Sequence, residues 1–156
     1  MTWQRKQNGD QWIPARAMKP LGGAALDEYE DFEVMDVDAA DEGVKFTFRI
    51  PDEAPIHILF AEVIYIAQGN KANTDGFDGS TKGGAIGEVV AGGLVGLSGA
   101  DTGAKTDKTL YSLDISSLIN DGVWEAGDVV SVDITANAAD ENGAVDVGII
   151  GAFLKW

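Results

Sequence analysis

The chain has 156 residues, no cysteine and a formal net charge of −15. That length fits one domain with a core large enough to stand without disulfide or metal staples. The lack of thiols excludes a disulfide framework, a thiolate metal site and a cysteine nucleophile, and the charge argues against nucleic acid, whose phosphates the body would repel.

The first 20 residues hold four basic side chains, Arg5, Lys6, Arg16 and Lys19, against the single acid Asp10. A basic stretch therefore precedes an acidic body. No apolar run follows those charges, so the segment does not read as a secretory signal. Pro14, Pro20 and Gly22-Gly23 punctuate it, which predicts an extended arm over residues 1–25, outside the main sheets of a domain spanning residues 26–156. Trp3, Trp12 and Ile13 would give such an arm an apolar contact and the four cations an electrostatic one. A solvated tail is the alternative.

Residues 44–50 alternate without an error, placing Val44, Phe46, Phe48 and Ile50 on one face of a half-buried strand. Residues 29–37 are its expected antiparallel neighbour. The next strand, residues 56–66, is apolar on both faces: Ile56, Ile58, Phe60, Ile64 and Ile66 on one, Leu59, Ala61, Val63 and Tyr65 on the other. A sandwich strand usually shows water one side, so Leu59, Val63 and Tyr65 are expected at a subunit interface or under a covering loop. The run is interrupted by His57 and Glu62 and falls far short of the roughly 20 apolar residues that span a bilayer, so no membrane contact is expected.

Residues 68–82 and 98–108 are rich in glycine and small polar residues and predict loops, with one or two glycine-bent strands at 85–97 between them. Residues 110–115 predict a strand and 116–120 a single helical turn. A closing hairpin is expected from residues 128–138, with Val130, Val132, Ile134 and Ala136 inward, through Asn142-Gly143 to a return strand at 145–156. Seven or eight strands and no long amphipathic helix make the fold class all-β, a single β-sandwich or jelly roll.

Chemistry-bearing motifs are sparse. The lone His57 cannot build a histidine metal site, and no activated nucleophile or phosphate cradle is recognisable. Residues 73–79 offer oxygen ligands but lack the EF-hand spacing for calcium. Trp3, Trp12, Trp124 and Trp156 could stack on sugars, although aromatics more often fill cores and interfaces. No catalytic, cofactor-binding or metal-ligating residue is assigned, and no cofactor is expected.

Three stretches, Trp12-Ile13-Pro14-Ala15-Arg16-Ala17-Met18-Lys19-Pro20, the strand Val44 to Pro51, and Gly127-Asp128 with Asp146 to Phe153, resemble a family of small phage and prophage virion proteins. Their order covers residues 12–156. Tyr65-Ile66-Ala67 departs from the "Trp-x-Ala" that commonly follows the family's long strand. The resemblance implies a jelly-roll component of a virion assembled in the host cytoplasm. It would be a homo-oligomer, trimer favoured, attached to the major capsid protein or another virion protein as a decoration or cement protein. The expected interface is Trp3, Arg5, Lys6, Trp12, Ile13, Arg16, Lys19, Leu59, Val63 and Tyr65. The alternative is a carbohydrate-binding or receptor-binding β-sandwich, with Trp124 and the 73–78 loop as its candidate site. An enzyme ranks third.

Overall fold

The structure, a computed structural model, describes residues 10–52, 60–120, 122–137 and 145–156. In chain order its elements are β1 (Gln11–Pro14), a 3-10 turn (Ala15–Ala17), β2 (Lys19–Leu21), β3 (Ala25–Tyr29), β4 (Phe32–Val37), β5 (Gly43–Arg49) and β6 (Phe60–Ala67). There follow β7 (Phe77–Gly84), β8 (Ala91–Gly92), β9 (Leu97–Ala100), β10 (Leu110–Asp114), the helical turn α1 (Ser116–Ile119), β11 (Val129–Ala136) and β12 (Val147–Lys155).

Two antiparallel sheets face each other. The first runs β10-β6-β12-β4-β3, and the second β2-β5-β11-β7-β8 with β9 also on β7. The pattern of alternation decides the core. Val44, Phe46, Phe48 and Ile50 from β5 and its end meet Val130, Val132, Ile134 and Ala136 of β11 on the inner face of the second sheet. Opposite them lie Met35, Val37, Ala61, Val63, Tyr65, Ile149, Ala152 and Leu154 of the first sheet. Each valine, leucine, isoleucine, phenylalanine or methionine among them contributes about 1.5–3 kcal/mol by leaving water. Trp156 closes one end against Phe48, and Phe77 meets the Tyr65 ring edge-on at 5.1 Å.

β12 organises the first sheet. Residues Val147 to Ile149 pair with β4, a bulge follows between Ile149 and Gly151, and Gly151 to Leu154 then pair with β1. The extra residue ends one partnership and starts the next along the same edge.

Several expectations are corrected. The segment 11–21 does not lie outside the sheets: β1 pairs with β12 and β2 with β5. Ala15 and Met18 enter the core, and Ile13 packs against it. The prolines and the charge break mark short edge strands, which tolerate both. Val63 and Tyr65 are no interface residues; β6 is flanked by β10 and β12, and its Ala61-Val63-Tyr65 face points between the sheets. Residues 29–37 do not neighbour β5. They belong to a β3–β4 hairpin in the other sheet, whose turn residues Glu30 and Asp31 both have positive φ, 49° and 66°, as a type I′ turn requires.

β11 and β12 form no hairpin with each other, since they lie in different sheets; the Asn142-Gly143 turn and His57 lie outside the described residues. Finally, residues 77–82 are strand and most of 85–97 is not. β7 has inward positions Phe77, Gly79, Thr81 and Gly83, the last without room for a side chain because a Cβ there would stand 2.4 Å from the Val129 carbonyl oxygen. The glycine-rich 85–97 stretch forms only β8 and the start of β9. Its Ile86, Val89 and Leu94 are 85%, 90% and 79% exposed.

Candidate functional site

The outer face of the second sheet carries the polar half of each alternating strand. Register sets the side chains in rows: Lys82 opposite Ser131 opposite Thr47, then Ser80 opposite Asp133 opposite Lys45, with Lys19 beyond on β2. Val129 stands between Gly84 and Arg49 in the row before. Residues 85–90 leave the end of β7 and arch beside this face, held by the Glu88 amide donating to the Ala85 carbonyl oxygen at 3.1 Å. Ile86 and Val90 turn toward the face, enclosing an open groove of about 420 Å³. That volume lies within the range of small-molecule and sugar-sized sites.

The groove floor combines hydroxyls (Thr47, Ser80, Ser131), two ammonium groups (Lys45, Lys82) and one carboxylate (Asp133), with Val129, Ile86 and Val90 as its apolar wall. Lys45 and Asp133 face each other at 3.5 Å with both side chains part exposed, a pair worth about 0–1 kcal/mol. Lys82 has no carboxylate within 4 Å among the described residues. Such a floor offers hydrogen bonds at closely spaced positions and little else: it can hold a hydroxyl-rich ligand in register with the strands.

Of the sequence-expected site residues, Trp3, Arg5, Lys6 and Leu59 lie outside the described residues. Trp12 is 48% exposed on the outer face of the first sheet, its indole lying over Gly151, where a Cβ would come within 2.6 Å of the ring. Arg16 is committed within the chain: its Nε donates to Glu33 Oε1 at 2.6 Å and its Nη2 to Oε2 at 2.5 Å. This bond and the charge beside it hold the Glu33 carboxyl below its ordinary range. Lys19 is exposed at the edge of the groove face. The structure thus separates these residues over both sheets.

Trp124 and the 73–78 loop, the candidate sugar site, are largely closed off. Trp124 is 8% exposed, packed over Gly83 in the core. Thr74, Gly76 and Phe77 are buried, and Asp78 accepts from the Gly99 amide at 2.9 Å and the Asn137 Nδ2 at 2.8 Å. Among the described residues no three His, Cys, Asp or Glu side chains are grouped to hold a metal ion.

A second polar cluster closes the end of the sandwich near β9. Tyr65 donates to Asp101, Lys105 Nζ lies 3.3 Å from Asp101 Oδ1 and 5.1 Å over the Tyr111 ring, and Tyr111 stacks on Tyr65. Burial, then the bond to Asp101, pushes the Tyr65 phenol well above its ordinary range. With every member partnered, this cluster reads as a clasp and not as a reactive site.

Sequence reasoning missed the groove because residues 77–82 were expected as loop. The polar positions Lys45, Thr47, Ser131 and Asp133 were visible as the outer half of two alternating strands, and only the third strand was lacking.

No family model and no curated protein matches the chain. Solved structures do resemble it. The CBM36-1 domain of a multidomain xylanase from the hindgut metagenome of Trinervitermes trinervoides superposes with a TM-score of 0.50 at 14% identity, over 94% of this chain and 97% of that one. A carbohydrate-binding module, CBM36 in complex with calcium and xylotriose, gives 0.49 at 16% identity over 92% and 98%. An exo-β-1,3-galactanase from Phanerochaete chrysosporium gives 0.46 at 8% identity over 94% of this chain, which spans 29% of that one. The chain has the two-sheeted jelly-roll fold. At these identities the likeness shows the fold alone.

Proposed function

We propose that the chain is a non-catalytic binding module that takes a glycan strand in the groove on the outer face of its second sheet. The observation that carries this is the row of hydroxyl, ammonium and carboxylate groups across β7, β11 and β5 beside the apolar wall of Val129, Ile86 and Val90. Sugar rings present a polar rim and apolar C–H faces, and this lining complements both. Binding without cleavage fits the carboxylate count: glycoside hydrolysis generally uses two carboxyl groups flanking the bond, and Asp133, already facing Lys45, is the one carboxylate that the described residues give the lining.

The test is affinity electrophoresis of the full chain through gels containing different polysaccharides, with Ser131→Trp as the blocking variant. Ser131 sits mid-groove on the outer side of β11, so an indole there fills the groove and leaves the core untouched. Retardation by at least one polysaccharide, abolished in S131W, is the expected outcome. Retardation unchanged in S131W would remove the groove as the site.

A second reading, a homo-oligomeric subunit of a phage particle, is favoured by a different observation. Ile86, Val89, Val90 and Leu94 are 67–90% exposed on one short segment, where monomers rarely expose contiguous apolar surface. A second copy of the chain would cover it. Sedimentation velocity at micromolar concentration should then show a trimer that Val89→Asp dissociates; a monomer at that concentration would end this reading. Attachment to a capsid protein would be a further step, measured by co-sedimentation with isolated heads.

A further inference from the structure

We infer that the groove selects a largely neutral glycan bearing isolated carboxylates, such as uronic acid branches, and that Lys82 is the residue that selects it. This inference rests on the glycan reading above and specifies its ligand.

The argument is one of charge against background. The whole chain carries −15, yet among the described residues the groove lining holds two lysines and one aspartate, a local surplus of one positive charge. Asp133 faces Lys45 at 3.5 Å, so the surplus resides on Lys82. Lys82 projects from the outer face of β7, exposed, with Ser131 and then Thr47 next to it across the sheet. An ammonium beside two hydroxyls on a rigid three-strand platform suits a sugar carboxylate: the ammonium takes the charge, and the hydroxyls take the neighbouring ring oxygens and hydroxyls. A neutral sugar would offer the ammonium only hydroxyl acceptors, without the opposite charge that strengthens the bond.

The same charges limit how acidic the ligand can be. A polyuronate presents a charge on every ring, and the chain's net charge of −15 opposes such a density. At physiological salt that repulsion reaches about 8 Å, roughly the span of one or two sugars. One lysine without a facing acid in the lining, on a chain of net charge −15, therefore fits one carboxylate within a neutral chain.

The experiment uses the full chain and three uronate-bearing polysaccharides, glucuronoxylan, gellan and polygalacturonate, each beside its carboxyl-reduced counterpart. Dissociation constants are measured by calorimetry for the wild type, Lys82→Met and Lys82→Arg. All three proteins should unfold at similar temperatures, because position 82 is on the solvent side of β7. The expected result is tighter binding of glucuronoxylan or gellan than of its reduced form, on the order of tenfold for one charge-assisted hydrogen bond at a part-exposed site. K82M should lose that preference and K82R should keep most of it, while polygalacturonate binds more weakly than the sparsely charged polymers. Equal binding of carboxylate and reduced forms would overturn the inference and leave the glycan reading standing. Binding of neither form of any polymer would overturn the glycan reading and the inference together. A preference retained in K82M would assign the carboxylate to another cation and overturn the role of Lys82.

Discussion

A Cβ on Gly43 would stand 1.9 Å from the Ile134 carbonyl oxygen and 2.7 Å from the Thr135 Cα. Both are backbone atoms of the central strand β11, so neither can swing aside. Gly43→Ala should therefore cost at least the 1–3 kcal/mol typical of overpacking, about that or more, whereas Gly92→Ala, with its nearest neighbour at 4.0 Å, should stay within about 0.5 kcal/mol. Urea denaturation of the two variants separates these outcomes. Carboxylates give a second prediction at this scale. Burial, and then the neighbouring Asp38, raise the Asp36 carboxyl above its ordinary value, and burial raises Asp146 although Lys71 opposes it. A raised carboxyl binds its proton more tightly in the folded chain. Its penalty is thus in force above the raised value and is relieved as pH falls through it toward the ordinary value near 4. Asp36→Asn should raise Tm modestly at neutral pH and have little effect near pH 4. Glu33 and Asp107 work in the opposite sense: bonded to Arg16 and Tyr29, they are lowered, and what they contribute is lost as pH falls through those lowered values. Thermal melts should accordingly find the wild type most stable in mildly acid solution, with a fall on further acidification; a Tm that only rises from pH 4 to 7 would contradict this account of Asp36 and Asp146. None of these single-residue features was legible beforehand. They depend on which backbone lies opposite a glycine and on which acids the fold brings together.

Among elements, the half-buried strands were the legible ones. β5 and β11 alternate apolar and polar residues cleanly, and each places its expected side chains in the core. The misread elements share one cause. Apolar content reads as strand, which predicts strand over residues 85–97, and glycine with small polar residues reads as loop, which conceals β7. In the structure β7 is a strand because it has neighbours on both sides and because Trp124 fills the space at Gly83 and Leu118, Ile134 and Leu97 that at Gly79. That is tertiary context, which local pattern does not contain. The N-terminal segment teaches the same lesson. Charge and proline suggested an arm, but its apolar residues sit where both sheets need an edge. Deleting residues 1–21 removes β1, β2 and the buried Ala15 and Met18. The loss of Met18 alone is comparable to a buried Met→Ala change of about 2–5 kcal/mol. The truncated chain should lose its cooperative thermal transition; retention of the wild-type midpoint by circular dichroism would show that these edges contribute nothing. The helical turn α1 was expected where it is found, and Ser116 ties it to β6 by accepting the Ala61 amide at 2.9 Å. The groove was half legible, in β5 and β11, for the same reason that those strands were.

At the scale of the molecule, length and alternation were enough to indicate one all-β sandwich, whereas which strand lies in which sheet was not encoded in any local pattern. β11 and β12 are neighbours in sequence and members of opposite sheets; β1 and β12 are far apart in sequence and paired. Pairings of this range must close long loops before they are rewarded, so refolding should take milliseconds to seconds and not microseconds. Stopped-flow fluorescence would measure it, with buried Trp124 and Trp156 reporting on the core. A microsecond phase carrying the full amplitude would mean that the long-range pairing is not limiting. The pairing of β1 with β12 has one more consequence. Gln11 is opposite Leu154 in antiparallel register, so the outer ends of β1 and β12 lie side by side at one corner of the sandwich, a narrow gate about 5 Å wide. A domain with such a narrow gate can be spliced into a surface loop of a host protein without prising the host's own ends apart. Grafted that way, it would hang from its host like a pendant on a single clasp.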